Sequence, residues 1–295
     1  MTTTPRARLR KQLTEGPMIV APGIYDAYGA RFVELAGFEA VYMTGNGVSA
    51  SLLGRPDVGL IDLTLIASHA HRIAACADIP LICDADTGYG NAVNVRRTVE
   101  EFEAAGVAAI HLEDQVAPKR CGYLPGSRPV VTLEEHVGKI EAAVAARRDP
   151  GFIIIGRTDA AAGHGLEEAI RRGNAYRKAG ADVILAVLQD SPSVIEELKR
   201  VTAEVDAPCL VVVEESGKVA ELTTAELEKL GFRIAIYPGL GRYAAGYAIR
   251  EALNVLKRNG NTRAARDRML TFKEYNDVLK LSEVEEWERK YLFSR

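Results

Sequence analysis

An eight-stranded parallel (β/α)8 barrel of the TIM type, with a C-terminal helical extension, is the α/β fold class this sequence predicts. Three observations predict it. Eight short apolar runs alternate with stretches of helical composition along the chain. Those runs are apolar almost throughout, as strands covered on both faces must be, which favours a barrel over a flat doubly wound sheet. No linker or low-complexity segment divides the chain, and 295 residues that are 47% hydrophobic can bury the core of one large domain.

The elements follow in order. Residues 6–15 have helical composition and end at Gly16-Pro17, and 18–21 form the first buried-strand run. Asp26 is placed to cap a helix that stops at Gly37, and 40–43 is the second strand. Helix 63–77 leads to strand 80–83, helix 92–105 to strand 108–112, and a longer connection carrying 119–126 to helix 133–147 and strand 152–156. Helix 166–179 and strand 182–188 come next, then helix 193–204, strand 209–213, helix 224–230, strand 233–237 and helix 243–257. The barrel is assigned to 1–259, and 260–295 to a charged helical tail whose Trp287 calls for packing on the barrel or on a neighbouring subunit.

A net charge of -3 leaves no basic footprint for nucleic acid or an anionic membrane surface, so the expected partner is a small molecule. No apolar run is long enough to span a bilayer, and the N-terminal basic residues are not followed by an apolar stretch. Cys76, Cys83, Cys121 and Cys209 are widely spaced, which fits reduced thiols and a cytoplasmic protein.

The chemistry gathers where a barrel keeps it, at the carboxyl ends of strands. The stretch LICDADTGYGN, residues 81–91, is a strand that runs into Asp84 and Asp86 and then a glycine loop. Residues two apart on an extended chain share a face, so the two carboxylates converge if the strand continues, and two hard oxygen ligands point to magnesium. A helix cap or a solvated turn is the plainer alternative. Adjacent strand ends supply Tyr42, Thr44, Gly45, Asn46 and Gly47, then Glu113 and Asp114, then Arg157, Thr158 and Asp159. His111 is either close to the site or barrel filling; His69, His71, His136 and His164 read as helix-surface or loop residues.

The pieces PGIYDAYGARFVELAGFEAVYMTGNGVSAS, DADTGYGN, HLEDQVAPKRCGYLPG, GRTDA and IAIYP, in this order and spacing, resemble the isocitrate lyase and phosphoenolpyruvate mutase superfamily. The likeness covers nearly the whole chain and is nearest to the short bacterial branches, the methylisocitrate lyases, dimethylmalate lyases and carboxyphosphonoenolpyruvate phosphonomutases. It implies a last barrel helix exchanged between subunits, a homotetramer built as a dimer of dimers, and a magnesium ion, which manganese can replace. It makes Asp84 the carboxylate nearest the metal, with Asp86 and Glu113 holding it largely through water. It makes Thr44, Gly45, Asn46 and Gly47 a loop that holds a substrate carboxylate, and Arg157 the partner of the 2-oxo acid, where a planar fork suits a carboxylate. A structural ion pair with Asp159 or Glu113 is the other reading of Arg157.

Cys121 lies in the stretch that matches the mobile gating loop. The carbon–carbon lyases carry the protonating cysteine there and the phosphonopyruvate mutases an asparagine, so this chain sides with the lyases. Lys119, counted with Gly122 among the substrate-binding residues, and Arg120 would favour the thiolate, and Gly122 and Gly126 would give the loop hinge freedom. Tyr42 matches the tyrosine beside the reacting hydroxyl, with a core tyrosine as the alternative. Asp57 matches an aspartate of a second mobile loop, or is a turn residue.

Three departures narrow the substrate. Tyr123 stands where the lyases carry histidine, Val187 where they carry glutamate, and Val212 and Glu214 where they carry asparagine and threonine. A tricarboxylate would leave carboxylates unpaired in such a pocket, at several kcal/mol each. The expectation is therefore a Mg-dependent lyase that cleaves a 2-hydroxy dicarboxylate, such as an alkyl-substituted malate, to pyruvate or glyoxylate and a carboxylic acid. The alternatives are an oxaloacetate decarboxylase or hydrolase, a phosphonopyruvate-type phosphonomutase or hydrolase, and, from another class, a degenerate barrel that only binds an oxo acid.

Overall fold

The computed structural model describes residues 3–122, 124 and 128–292. Its elements run α1 (Pro5–Glu15), β1 (Ile19–Ile24), α2 (Ala27–Leu35), β2 (Val41–Met43), α3 (Gly45–Leu53), α4 (Leu63–Cys76), β3 (Leu81–Asp84), α5 (Ala92–Ala104) and β4 (Ala109–Glu113). They continue with α6 (Leu133–Ala146), β5 (Ile153–Thr158), α7 (Ala161–His164), α8 (Leu166–Lys178), β6 (Val183–Ala186), α9 (Val194–Glu204), β7 (Cys209–Val212), α10 (Thr224–Lys229), β8 (Phe232–Tyr237), α11 (Leu240–Asn259), α12 (Phe272–Val278) and α13 (Leu281–Tyr291). The eight strands close in chain order, each parallel to its neighbours, so the fold is the (β/α)8 barrel expected from the alternation.

The barrel interior is a packed apolar plug. Ile19, Tyr42, Ile82, Ile155, Leu185 and Ile236 meet there with Leu9 and Leu13, which lie one helical turn apart on α1. This helix seals the amino-terminal mouth. Arg10 donates to Asp182 at 2.6 Å and to the Phe152 carbonyl, while Arg233 binds the Leu13 and Gly16 carbonyls at the helix's end. With that mouth closed, the opposite end is left for chemistry.

Several elements differ from expectation. β1 runs through Pro22 and Gly23 rather than ending at Ala21, and a side chain at Gly23 would come within 2.4 Å of the Tyr237 carbonyl oxygen. β6 ends at Ala186, short of Leu188. Helix α3 was read as loop, because Gly45, Asn46 and Gly47 are poor helix formers; Thr44 caps it and its packed position overrides propensity. His69 and His136 are buried rather than on the surface. Tyr123 and Gly126 lie outside the described residues.

Asp114, grouped by position with the acids at the barrel mouth, turns outward instead. It accepts from the Thr158 hydroxyl at 2.7 Å, the Asp159 amide at 2.9 Å, Arg172 at 3.0 Å and the Tyr176 hydroxyl at 2.7 Å, and so pins β5 to α8. Tyr176 in turn packs against the His136 ring, with centroids 4.6 Å apart.

Helix α11 leaves the barrel with Val255 as its one buried residue among those described, and Tyr247, Ile249 and Leu253 are each 59% exposed. Of the tail, α12 returns to α2, where Tyr28 and Tyr275 rings lie 5.7 Å apart, whereas Trp287 stays 56% exposed. The tail's packing on its own barrel is thus limited. All four cysteines are free, and no helix of the described residues is long and apolar enough to cross a membrane.

Burial, reinforced by Lys139 and Arg172, holds the His136 pKa down to about 3. The unfolded chain takes up this proton below its ordinary pKa of 6.5 while the folded chain refuses it, so stability is lost as pH falls from about 6.5 towards 3. The slope from one such group is at most about 1.4 kcal/mol per pH unit. Urea midpoints measured across this range are expected to fall less steeply for His136→Phe, which keeps the ring against Tyr176, than for the parent.

Candidate active site

The carboxyl end of the barrel holds its carboxylates around one ammonium. β3 delivers Asp84 and ends there; Asp86 follows in a left-handed conformation, φ 48°, with its amide donating to Asp84 Oδ1 at 3.0 Å. The two acids therefore converge through a turn and not, as expected, along one face of a continued strand. Lys119 Nζ sits 2.7 Å from Asp57, 2.8 Å from Asp86 and 3.9 Å from Asp84. Burial opposes its charge, but Asp86, Asp84, Asp57 and Glu113 together hold its pKa well above the usual lysine value.

The same cluster sets the acids apart. Burial opposes ionisation of Asp84, yet Lys119, His111 and Arg157 bring its pKa below the usual carboxylate range. Burial, with Asp84 and Asp57 adding repulsion, pushes Asp86 up to about 7 against the pull of Lys119. Glu113, buried behind the site, is pushed up by burial as well. Neither Glu113 oxygen has a hydrogen bond, although Arg157 Nη1 lies 2.9 Å from Oε2.

Register explains the next layer. Glu113 pairs with Arg157 across β4 and β5, and Asp84 with His111 across β3 and β4. Arg157 binds Glu113 and, through Nε at 2.8 Å, Asp159, so the ion-pair reading placed second in the sequence is the pairing the structure shows. It still lines the cavity. His111 is fully buried with Nε2 2.8 Å from the Tyr42 hydroxyl and Nδ1 3.6 Å from Asp84. Burial lowers the His111 pKa to about 4 and raises that of Tyr42, so both rings are neutral near pH 7.

Residues 44–47 form the first turn of α3, not a loop. Thr44 Oγ1 accepts from the Gly47 amide, and the unpaired amides of a helix start present partial positive charge to an anion. Gly45 lies directly beneath Asp84, where a Cβ would come within 2.7 Å of Oδ2. From the same turn, Asn46 Nδ2 donates to Cys121 Sγ at 3.2 Å, and the Cys121 amide donates to the Asp57 carbonyl at 3.1 Å. Lys119 is committed to the aspartates, and Arg120 is exposed, with its amide on Gln115. Arg242 lines the same cavity as Cys121.

A cavity of about 50 Å³ brings together Tyr42, Thr44, Asn46, Asp57, Asp84, Lys119, Cys121, Gly122, Arg157, Val187 and Val212. Gly45, Gly47, Asp86 and Glu113 stand outside its lining. The sequence left out Leu185, Ile236, Pro238 and Arg242, which close the wall between β6 and α11. The signal for the last two is position, since Pro238 and Arg242 directly follow the end of β8.

Residues 9–256 match the family model described as phosphoenolpyruvate phosphomutase. The chain belongs to that family. It is 47% identical over 289 residues to the 2,3-dimethylmalate lyase of Eubacterium barkeri, covering 98% of this chain and 99% of that one. Oxaloacetate acetylhydrolase in complex with 3,3-difluorooxalacetate superimposes with a TM-score of 0.89 at 37% identity, covering 97% of each chain. Phosphonopyruvate hydrolase in complex with oxalate and Mg++ does so with a TM-score of 0.90 at 34% identity, covering 98% of this chain and all of the other, 100%. The superfamily resemblance carried by the motifs is thereby established, and with it the class of activity, a carbon–carbon lyase.

In this phosphoenolpyruvate phosphomutase family member, Gly45→Ala tests how closely Asp84 is placed. The added methyl must move the carboxylate, and displacements of about 1 Å can cost about 10²-fold in rate. Turnover is expected to fall by about that factor with the circular dichroism spectrum unchanged.

Proposed function

We propose that the protein cleaves an alkyl-substituted malate to a 2-oxo acid and a small carboxylic acid, with magnesium at Asp84. The observation that carries this reading is the division of the cavity, with Asp84, His111, Lys119 and Arg157 on one side and Leu185, Val187, Val212 and Ile236 on the other. A 2-hydroxy acid fits the first half and alkyl groups the second. The 47% identity to a 2,3-dimethylmalate lyase supports the same substrate class.

The donor set fits a hydrated hard cation. Among the described residues no three His, Cys, Asp or Glu side chains are grouped to ligate an ion together. Magnesium keeps much of its water and takes one or two carboxylates directly, so Asp84 would hold it, with Asp86 and Glu113 bonding through water. The two Glu113 oxygens without hydrogen bonds are acceptors for such water. When bound, the ion supplies Lewis acidity towards the substrate's hydroxyl and carboxylate oxygens.

The chain's own residues do the rest. Arg157 and the first turn of α3 orient the carboxylate beside the hydroxyl. Tyr42 Oη takes the hydroxyl proton as its own passes to His111 Nε2, along the 2.8 Å contact between them. The carbon–carbon bond then breaks, and Cys121 Sγ, positioned by Asn46, protonates the departing carbon. Val187 and Gly122 help keep water away from that carbon.

A second reading, hydrolysis of oxaloacetate on the same residues, draws support from the likeness to oxaloacetate acetylhydrolase. Purified protein with magnesium, assayed against substituted malates, oxaloacetate and phosphonopyruvate, separates the two. Oxo-acid release from a substituted malate, reduced about 10²-fold or more in Cys121→Ser, is the expected result. Turnover of oxaloacetate alone, indifferent to that substitution, would replace the lyase reading with the second.

The exposed apolar face of α11 supports a homotetramer in which this helix is exchanged between subunits. Light scattering is expected to give a tetramer's mass, and Ile249→Glu with Leu253→Glu to lower it. A monomeric parent would refute the assembly.

A further inference from the structure

Gln115, two residues beyond Glu113, is 2% exposed and turns its side-chain amide onto a single backbone residue. Oε1 accepts from the Arg120 amide at 3.0 Å, and Nε2 donates to the Arg120 carbonyl at 3.0 Å. A carboxamide presents an acceptor and a donor side by side, so it meets both groups of one residue as a neighbouring strand would. Its own base is well held. Gln115 bridges Val130 in antiparallel fashion, the Val116 amide donates to the Pro129 carbonyl at 2.8 Å, and the Val131 amide donates to the Asp114 carbonyl at 2.8 Å. These bonds carry the order of β4 three residues past its end at Glu113.

The stretch that Gln115 holds supplies the site with two side chains. Lys119 is buried among the aspartates, Arg120 is exposed and Cys121 lines the cavity, so alternate residues face inward as along an extended chain. Residues 119–121 belong to no helix or strand. Their backbone therefore has no ladder to fix its direction, and side chains and loops must satisfy it instead.

The two Arg120 atoms bound by Gln115 belong to different peptide units, one shared with Lys119 and the other with Cys121. Each unit is planar, so holding both sets the directions in which the flanking side chains leave. The second unit is gripped from both sides, by Gln115 at the Arg120 carbonyl and by the Asp57 carbonyl at the Cys121 amide. Asn46 then receives the thiol that this backbone presents. We infer that Gln115 is a positioning residue, which ties Lys119 and Cys121 to β4, the strand that carries His111 and Glu113. Its effect on turnover rests on the lyase reading above, in which Cys121 is the proton donor; its hold on the thiol does not.

The test follows the thiol itself. Alkylation of Cys121 by iodoacetamide is read by peptide mass spectrometry against Cys76 in the parent, Gln115→Met and Gln115→Glu. Methionine is unbranched like glutamine and loses both bonds, whereas glutamate keeps the acceptor for the Arg120 amide and sets an oxygen against the Arg120 carbonyl. Gln115→Met is expected to raise the Cys121 rate relative to Cys76 by about tenfold, with Gln115→Glu between it and the parent. With magnesium and 2,3-dimethylmalate, Gln115→Met should lower kcat more than it raises KM, because the proton donor acts after the substrate is bound. Gln115→Glu keeps one bond and a polar head, so it remains the test where the methionine variant fails to fold. An unchanged ratio, a rise shared by Cys76, Cys83 and Cys209, or an unchanged kcat on a substrate that the parent cleaves would overturn the inference. A raised ratio in a protein whose parent cleaves no substituted malate would uphold the positioning role and sink the lyase reading alone.

Discussion

One ammonium among three aspartates is the interaction on which the site depends. Lys119 lies within 4 Å of Asp57, Asp84 and Asp86, with Glu113 close enough to add to its field. Carboxylates so buried repel one another and lose their hydration, which several kcal/mol of pairing must offset for the loops to settle there. The lysine provides that pairing from the connection between β4 and α6. A divalent cation entering the same group would compete with the ammonium for the same charge.

The barrel supplies what those loops cannot. Asp84, His111, Glu113 and Arg157 stand on neighbouring strands in a fixed register, and their spacing is set by the ladder and not by side-chain choice. Asp114 fastens this corner from outside through Thr158, Arg172 and Tyr176. Adjacent acids at the end of β4 therefore serve opposite ends: Glu113 faces Arg157 and Asp114 anchors the rim. Alternation along a strand makes that division automatic.

The same physics decides what could be read without coordinates. Apolar runs and their spacing sufficed for the barrel, because strands buried on both faces leave an unmistakable pattern. Strand-end acids such as Asp84 and Glu113 were legible by position. Helix α3 was not, since its Gly45-Asn46-Gly47 start has loop propensity and is held by Thr44 and by contact with Asp84. The closeness of Asp86 to Asp84 depends on one left-handed residue, which periodicity cannot reveal. Arg242 escaped because an arginine on the first turn of a helix usually points to solvent, and only the fold brings Glu214, just past β7, and α11's Tyr243 behind it. His136 escaped for a related reason, as its helix buries it against Tyr176, which lies two helices further along the chain.

Asp57 joins the two halves of the arrangement. Its carboxylate holds Lys119 at 2.7 Å and its carbonyl accepts from the Cys121 amide at 3.1 Å. The backbone that carries the thiol is thus tied to the residue that balances the aspartates, two positions away along the same segment. One aspartate thus fixes both the ammonium among the carboxylates and the backbone of the thiol that lines the cavity.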